Sequence, residues 1–333
     1  MFLVEDSFDE FYILHNKFLD GIKDESFVRI TIVPTLLCNL KCKYCFVNSD
    51  NNINKNISFK EYIVLQTWLK TIILNKNTKK IFINFYGGKP ILEIERIYNL
   101  MSFISMLCKN NNKLYAFHVY TNGLLLKKDM IYYLFNYGMT GIQISLDKER
   151  IINEEHLDKF LSTLEECVSL KLKLEITVRI NIDSTFSSFL PKLFIKNKFK
   201  KLIKQVSFYF APIFEKHGYQ VPKNKTSEIA SYSEILANAI KFSFSKYNFD
   251  FTQLPHFRKF PCYTQCKNAY VVGPDLNFYS CHSHVAISNL AIGNILTCKS
   301  YIPLYDPFLD KTCSCCRLLP ICMGECYMRY INI

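Results

Sequence analysis

The sequence predicts an α/β protein: a partial (β/α)6 barrel of parallel strands followed by a cysteine-rich C-terminal domain. Three observations predict it. Strand-like and helix-like periodicities alternate from residue 27 to about residue 213. The helical stretches between strands are long enough to require parallel pairing and right-handed crossovers. Past residue 256 the long periodic elements give way to closely spaced cysteines.

Residues 1–26 read as an N-terminal extension, and FVRITIV (27–33) as the first strand. A helix over 58–76 is opened by Ser58, with Glu61 three residues later, the pattern of a capping box. Strand KIFINFY (80–86) is followed by a helix over 91–109, strand YAFHVYT (115–121) by a helix over 126–137, and strand GIQISLD (141–147) by a helix over 154–170. LEITVRINI (174–182) and QVSFYFAPI (205–213) complete the barrel, assigned to 27–215. Residues 216–255 form a connecting region with one amphipathic helix over 225–246, and 256–333 form the cysteine-rich domain. Within it AYVVGPDLNFYSC (269–281) reads as a hairpin around a Gly-Pro-Asp turn.

Composition narrows the function. In 333 residues, 49% hydrophobic, a sizeable core can be buried. No uncharged apolar run reaches the roughly eighteen residues that a spanning helix needs. The start, MFLVEDSFDEF, is acidic and unlike a secretory signal. These features predict a cytoplasmic protein in a reducing compartment, with no membrane partner. The 14 cysteines are too few for a disulfide scaffold, and their clustering points to metal or catalysis. Cys108 and Cys167, in apolar helical stretches, read as buried structural thiols. The net charge of +12 suits an acidic partner but also an ordinary solvated lysine-rich surface, and the second reading is the stronger. No basic run is interleaved with aromatics, so a nucleic-acid partner is not expected.

Cys38, Cys42 and Cys45 fall within eight residues directly after the first strand. Parallel α/β folds place their chemistry at the C-terminal ends of strands. A structural zinc wants four ligands, and the nearest downstream histidine is His118. Three thiolates on a cubane cluster leave one iron open to a small molecule bearing an amine and a carboxylate.

This C-x3-C-x2-C loop, with Tyr44 before its third cysteine, resembles the signature of radical S-adenosylmethionine (SAM) enzymes. The resemblance continues in order through Tyr86-Gly87-Gly88-Lys89-Pro90, Thr121-Asn122-Gly123, Ser145-Leu146-Asp147, and Arg179 with Asn181. It implies a TIM-like partial barrel in which Cys38, Cys42 and Cys45 hold a 4Fe–4S cluster that cleaves SAM. Tyr44, Gly87, Gly88, Lys89, Asn122, Ser145, Asp147, Arg179 and Asn181 would then line the SAM site. The sequence departs from the family at Lys89, where glutamate is usual, and at Lys148, where glycine is usual.

The later cysteines are Cys262, Cys266 and Cys281, then Cys313, Cys316, Cys322 and Cys326. Taken alone, their pairs suit zinc as well as iron–sulfur. Beside the N-terminal triad they resemble a SPASM-type extension, which implies one or two auxiliary 4Fe–4S clusters. The first would use Cys262, Cys266, Cys281 and Cys326. The second would use Cys313, Cys316 and Cys322 and lacks its usual downstream cysteine, which leaves Cys315 or Cys298 as replacements or the iron open. Leu276 stands where the hairpin usually has glycine. His282 and His284 read as surface or packing residues rather than ligands.

SPASM-bearing relatives mostly modify peptides or proteins. The expected function is therefore radical SAM peptide maturation, installing a thioether, a carbon–carbon crosslink or an epimerised centre in a ribosomally made peptide. Expected partners are the peptide, a separate leader-recognition protein, and an electron donor such as flavodoxin or ferredoxin. The alternatives are an anaerobic sulfatase-maturing enzyme and a zinc-binding protein without catalysis.

Overall fold

The structure, a computed structural model, describes residues 9–45, 47, 56–213, 226–247, 262–285, 287–299 and 305–324. Strands β1 (Phe27–Ile32), β2 (Lys80–Phe85), β3 (Leu114–Thr121), β4 (Met139–Leu146), β5 (Glu175–Ile182) and β6 (Ser207–Pro212) pair in chain order, all parallel. Between them run α2 (Phe59–Leu74), α3 (Ile94–Asn110), α4 (Lys128–Asn136), α5 (Lys148–Ile152), α6 (Glu154–Ser169), α7 (Phe186–Phe194) and α8 (Asn197–Leu202). The predicted capping box is formed: Ser58 Oγ accepts from the Glu61 amide at 3.2 Å, and Glu61 Oε2 accepts from the Ser58 amide at 2.6 Å.

Strand side chains alternate between two faces. Val28, Ile30 and Ile32, with Ile81, Ile83 and Phe85 beside them, join the main core under the helices. Each fully buried aliphatic side chain contributes roughly 1.5–3 kcal/mol. The opposite face carries Thr31, Gln143, Arg179 and Tyr209, hence polar and aromatic groups. Tyr209 donates to Gln143 Oε1 at 3.0 Å across the sheet. Helix α9 (Thr226–Tyr247) adds Phe242 and Tyr247 to the same core, 5.7 and 5.0 Å from the rings of Phe186 and Phe194.

The C-terminal hairpin is built onto the barrel's edge. β7 (Ala269–Val272) runs parallel to β1, and β8 (Asn277–Tyr279) returns antiparallel after the turn. β9 (Ala291–Asn294) and β10 (Cys298–Lys299) extend the same sheet. Trp68 of α2 packs against Tyr270 and Phe278, 5.2 and 5.5 Å between rings.

Two features differ from the sequence reading. Residues within the N-terminal extension form α1 (Glu10–Lys23), capped by Asp9, whose side chain accepts from the Tyr12 amide at 2.8 Å. Its buried Phe18 and Ile22 pack on Phe308, Leu319 and Met323 rather than on the barrel, so no neighbouring strand pattern signals it. The stretch after β5 folds into α7 and α8 although Pro191 lies inside α7 and removes one of its backbone bonds.

Candidate active site at the C-terminal ends of the strands

The loop that follows β1 is fixed by glycines on β2's exit. Gly87 has φ +128°, and a Cβ there would sit 2.5 Å from the Thr35 carbonyl oxygen. A Cβ on Gly88 would sit 2.3 and 2.4 Å from the carbonyl oxygens of Leu36 and Leu37, so only glycine allows this approach. The Gly88 amide donates to the Thr35 carbonyl at 3.0 Å. These contacts hold the segment that delivers Cys38.

The loop itself is tied to three further strand ends. The Tyr44 hydroxyl donates to Asp147 Oδ2 at 2.6 Å and accepts from Asn181 Nδ2 at 3.1 Å. Arg179 Nε donates to Asn181 Oδ1 at 3.0 Å. Cys42 Sγ donates to Asp147 Oδ2 at 3.7 Å, and the Leu40 amide donates to Cys38 Sγ at 3.4 Å. Asn122 Nδ2 donates to Asn39 Oδ1 at 3.0 Å. Cys45 packs with Tyr86 against a small cluster of Val33, Leu36, Val47, Val271, Tyr279 and Val285.

Beneath the loop lies a buried ion pair that sequence reasoning missed. Arg150 Nη2 meets Asp147 Oδ2 at 2.9 Å, and its Nε meets Oδ1 at 3.1 Å. Arg150 also donates to the carbonyls of Asn122, at 3.0 Å, and Ser145. Asp147 caps α5 through the Arg150 amide at 3.1 Å. Burial pushes the Asp147 carboxyl upward, but the guanidinium and its hydrogen bonds outweigh that and hold it below its usual range. An aspartate three residues before an arginine at a helix start was the available signal.

Lys89 is fully buried, and its ammonium donates to Asn122 Oδ1. Burial pushes its pKa down to about 7, against the opposing influence of the Cys38 sulfur. Lys148 points elsewhere, its Nζ donating to Thr185 Oγ1 at 2.8 Å.

The later cysteines fall into two places. Cys262 and Cys281 are half-buried, and their neighbours Tyr263 and His282 hydrogen-bond to each other and to Thr31 of β1, at 2.8 and 3.3 Å. Cys266 is buried and its thiol donates to the Gly21 carbonyl of α1 at 3.7 Å. His282 is packed between Tyr263 and Tyr86, and His284 is buried with Nδ1 3.0 Å from Ser280 Oγ. Cys313 lies 3.3 Å from the Tyr305 hydroxyl and touches the α1 cluster. Cys315 and Cys316 are exposed and Cys322 half-buried, around α10 (Lys311–Ser314) and α11 (Leu319–Cys322). Cys326 lies outside the described residues.

Residues 32–182 match the profile of the Radical SAM superfamily. A cysteine-type anaerobic sulfatase-maturating enzyme of Clostridium perfringens is 25% identical over 324 residues, covering 87% of this chain and 85% of that protein. The structure of native anSMEcpe with bound AdoMet superposes with a TM-score of 0.66 at 18% identity, covering 90% of this chain and 89% of that one. Streptococcus suis SuiB bound to its precursor peptide SuiA gives 0.58 at 17% identity, covering 98% and 80%. These likenesses establish the partial-barrel fold.

Members of this superfamily use a 4Fe–4S cluster with SAM. Among the described residues no three His, Cys, Asp or Glu side chains converge as a ready-made metal cage, so the fit rests on donor chemistry. Cys38, Cys42 and Cys45 are free thiols on one loop. Burial, then the Asp147 carboxylate, push the Cys42 thiol up to about 11, so an adjoining cation is what would hold it as thiolate. Three thiols backed by a fixed polar network suit such a cluster.

Proposed function

We propose that this enzyme is a radical SAM peptide maturase acting on a ribosomally made peptide, with Cys38, Cys42 and Cys45 as the ligands of its SAM-cleaving cluster. The supporting observation is the Tyr44 hydroxyl, which joins the cysteine loop to β4 through Asp147 and to β5 through Asn181. That link orients the loop toward the strand ends where a bound SAM would lie. When bound, the cluster supplies the electron that cleaves SAM to methionine and a 5′-deoxyadenosyl radical, which abstracts a substrate hydrogen.

The chain's own residues bind and orient. Gly87 and Gly88 let β2's exit approach the loop without a side chain in the way. Asn122, Ser145, Arg179 and Asn181 line the strand ends on which SAM would rest, and Arg179 supplies a cation suited to its carboxylate. Asp147 acts by position, since Arg150 and Tyr44 already occupy its oxygens. Cys262, Cys266, Cys281 and Cys326 are assigned to one auxiliary cluster, and Cys313, Cys316 and Cys322 to a second. The peptide is recruited with a separate leader-recognition protein, and flavodoxin or ferredoxin delivers the electron.

Similarity over most of the chain to a sulfatase-maturating enzyme favours a second reading, in which the same site oxidises a sulfatase residue. Anaerobic reconstitution with iron and sulfide tests the class. Deoxyadenosine release from SAM with dithionite is expected, whereas stoichiometric zinc without SAM cleavage would overturn it. Mass spectrometry of peptide and sulfatase substrates after turnover separates the two readings.

A further inference from the structure

We propose that Lys89 sets the charge beside the N-terminal cysteine loop: its buried ammonium favours addition of an electron to a cluster held through Cys38. The inference rests on the assignment of Cys38, Cys42 and Cys45 above, and concerns how readily that centre is reduced.

Three observations carry it. Lys89 is 0% exposed, a burial that lysine tolerates only with a partner. Its Nζ donates to the neutral Asn122 amide oxygen, and among the described residues no carboxylate pairs with it; the same Asn122 side chain donates to Asn39, the residue after Cys38, at 3.0 Å. Arg150, the other buried cation under the loop, is matched by Asp147. The backbone also keeps the amine in place. Gly88, immediately before it, is wedged against the carbonyls of Leu36 and Leu37, the run into Cys38.

The sign follows from electrostatics. An all-thiolate cluster gains negative charge on reduction, and net charge and nearby hydrogen bonds are among the levers on its potential. A buried cation is screened far less than a surface one. It therefore favours the reduced form and eases the demand on the electron donor.

The test is an EPR-monitored redox titration at pH 6, below the Lys89 pKa of about 7 so that its amine is protonated, of the full chain reconstituted anaerobically as wild type, Lys89→Gln and Lys89→Met. Glutamine keeps a hydrogen-bond donor and drops the charge; methionine drops both. At the wild-type midpoint the reduced-to-oxidised ratio is expected to fall about tenfold in both variants, a 59 mV shift for one electron. An unchanged midpoint in both overturns the proposal. So does a shift in Lys89→Met alone, which would assign the effect to the hydrogen bond. Failure of both variants to load iron would make Lys89 an assembly residue and also overturn it. A wild-type protein without a SAM-responsive EPR signal would overturn the proposed function instead.

Discussion

Cys38, Cys42 and Cys45 lie on a loop laced to three strand ends by polar side chains, whereas Cys313 and Cys322 lie on one-turn helices clasped by the apolar face of α1. In the first region the links are hydrogen bonds and an ion pair: Tyr44 to Asp147 and Asn181, Arg150 to Asp147, Asn122 to Asn39. In the second they are Phe18 and Ile22 against Phe308, Leu319 and Met323, with His15 Nε2 to Asp306 Oδ2 at 2.7 Å. Directional bonds fix where each atom sits; apolar contacts hold a segment less precisely, with Cys313 lying 3.3 Å from the Tyr305 hydroxyl. The barrel site is thus positioned by directional polar bonds, and the segment that carries Cys313 and Cys322 chiefly by apolar packing against α1.

The largest effect belongs to the first region. Cys42→Ala is expected to reduce deoxyadenosine release to background and to remove about four irons per chain. Undiminished release from that variant would show that the triad is misassigned. By contrast Cys315→Ala, at an exposed thiol, is expected to leave SAM cleavage measurable.

The polar scaffold can be broken without touching a cysteine. Arg150→Met leaves Asp147 buried without its cation, a change that typically costs about 3–5 kcal/mol. Denaturant unfolding should show this loss, and SAM affinity should fall with it because Tyr44 loses its fixed acceptor. A loss below about 1 kcal/mol would mean that the pair does not organise the loop.

The apolar clasp breaks differently. Phe18→Ala removes a fully buried ring, at roughly 3 kcal/mol, the lower end for such truncations. Faster amide exchange is expected across residues 305–324, with β1–β6 unaffected. Uniformly faster exchange would instead make α1 part of the barrel's cooperative unit.

These contrasts explain what the sequence made legible. The strands, the Ser58–Glu61 cap and the spacing of Cys38, Cys42 and Cys45 are local patterns, written within one element or one loop. The Asp147–Arg150 pair is local in sequence, but its importance comes from meeting Tyr44, 103 residues from Asp147. The α1 clasp joins residues 291 apart in sequence, His15 and Asp306, and no periodicity announces such a partner. The direction taken by Lys89 is of the same kind: its neighbours Cys38 and Asn122 come from other strands' loops.

The smallest effect sharpens the comparison at the seam between the regions. Leu276 stands in the hairpin with φ +61°, where glycine is favoured, and it carries a left-handed cost of about 1–2 kcal/mol. Yet its side chain is buried in the main core beside Val272 and Phe278, which is worth roughly 1.5–3 kcal/mol. Burial therefore outweighs strain, and Leu276→Gly is expected to destabilise by only about 1 kcal/mol, read as a small shift in denaturation midpoint. A variant more stable than wild type would mean that strain governs the turn and that the hairpin's hold on the barrel comes from its backbone pairing with β1 alone.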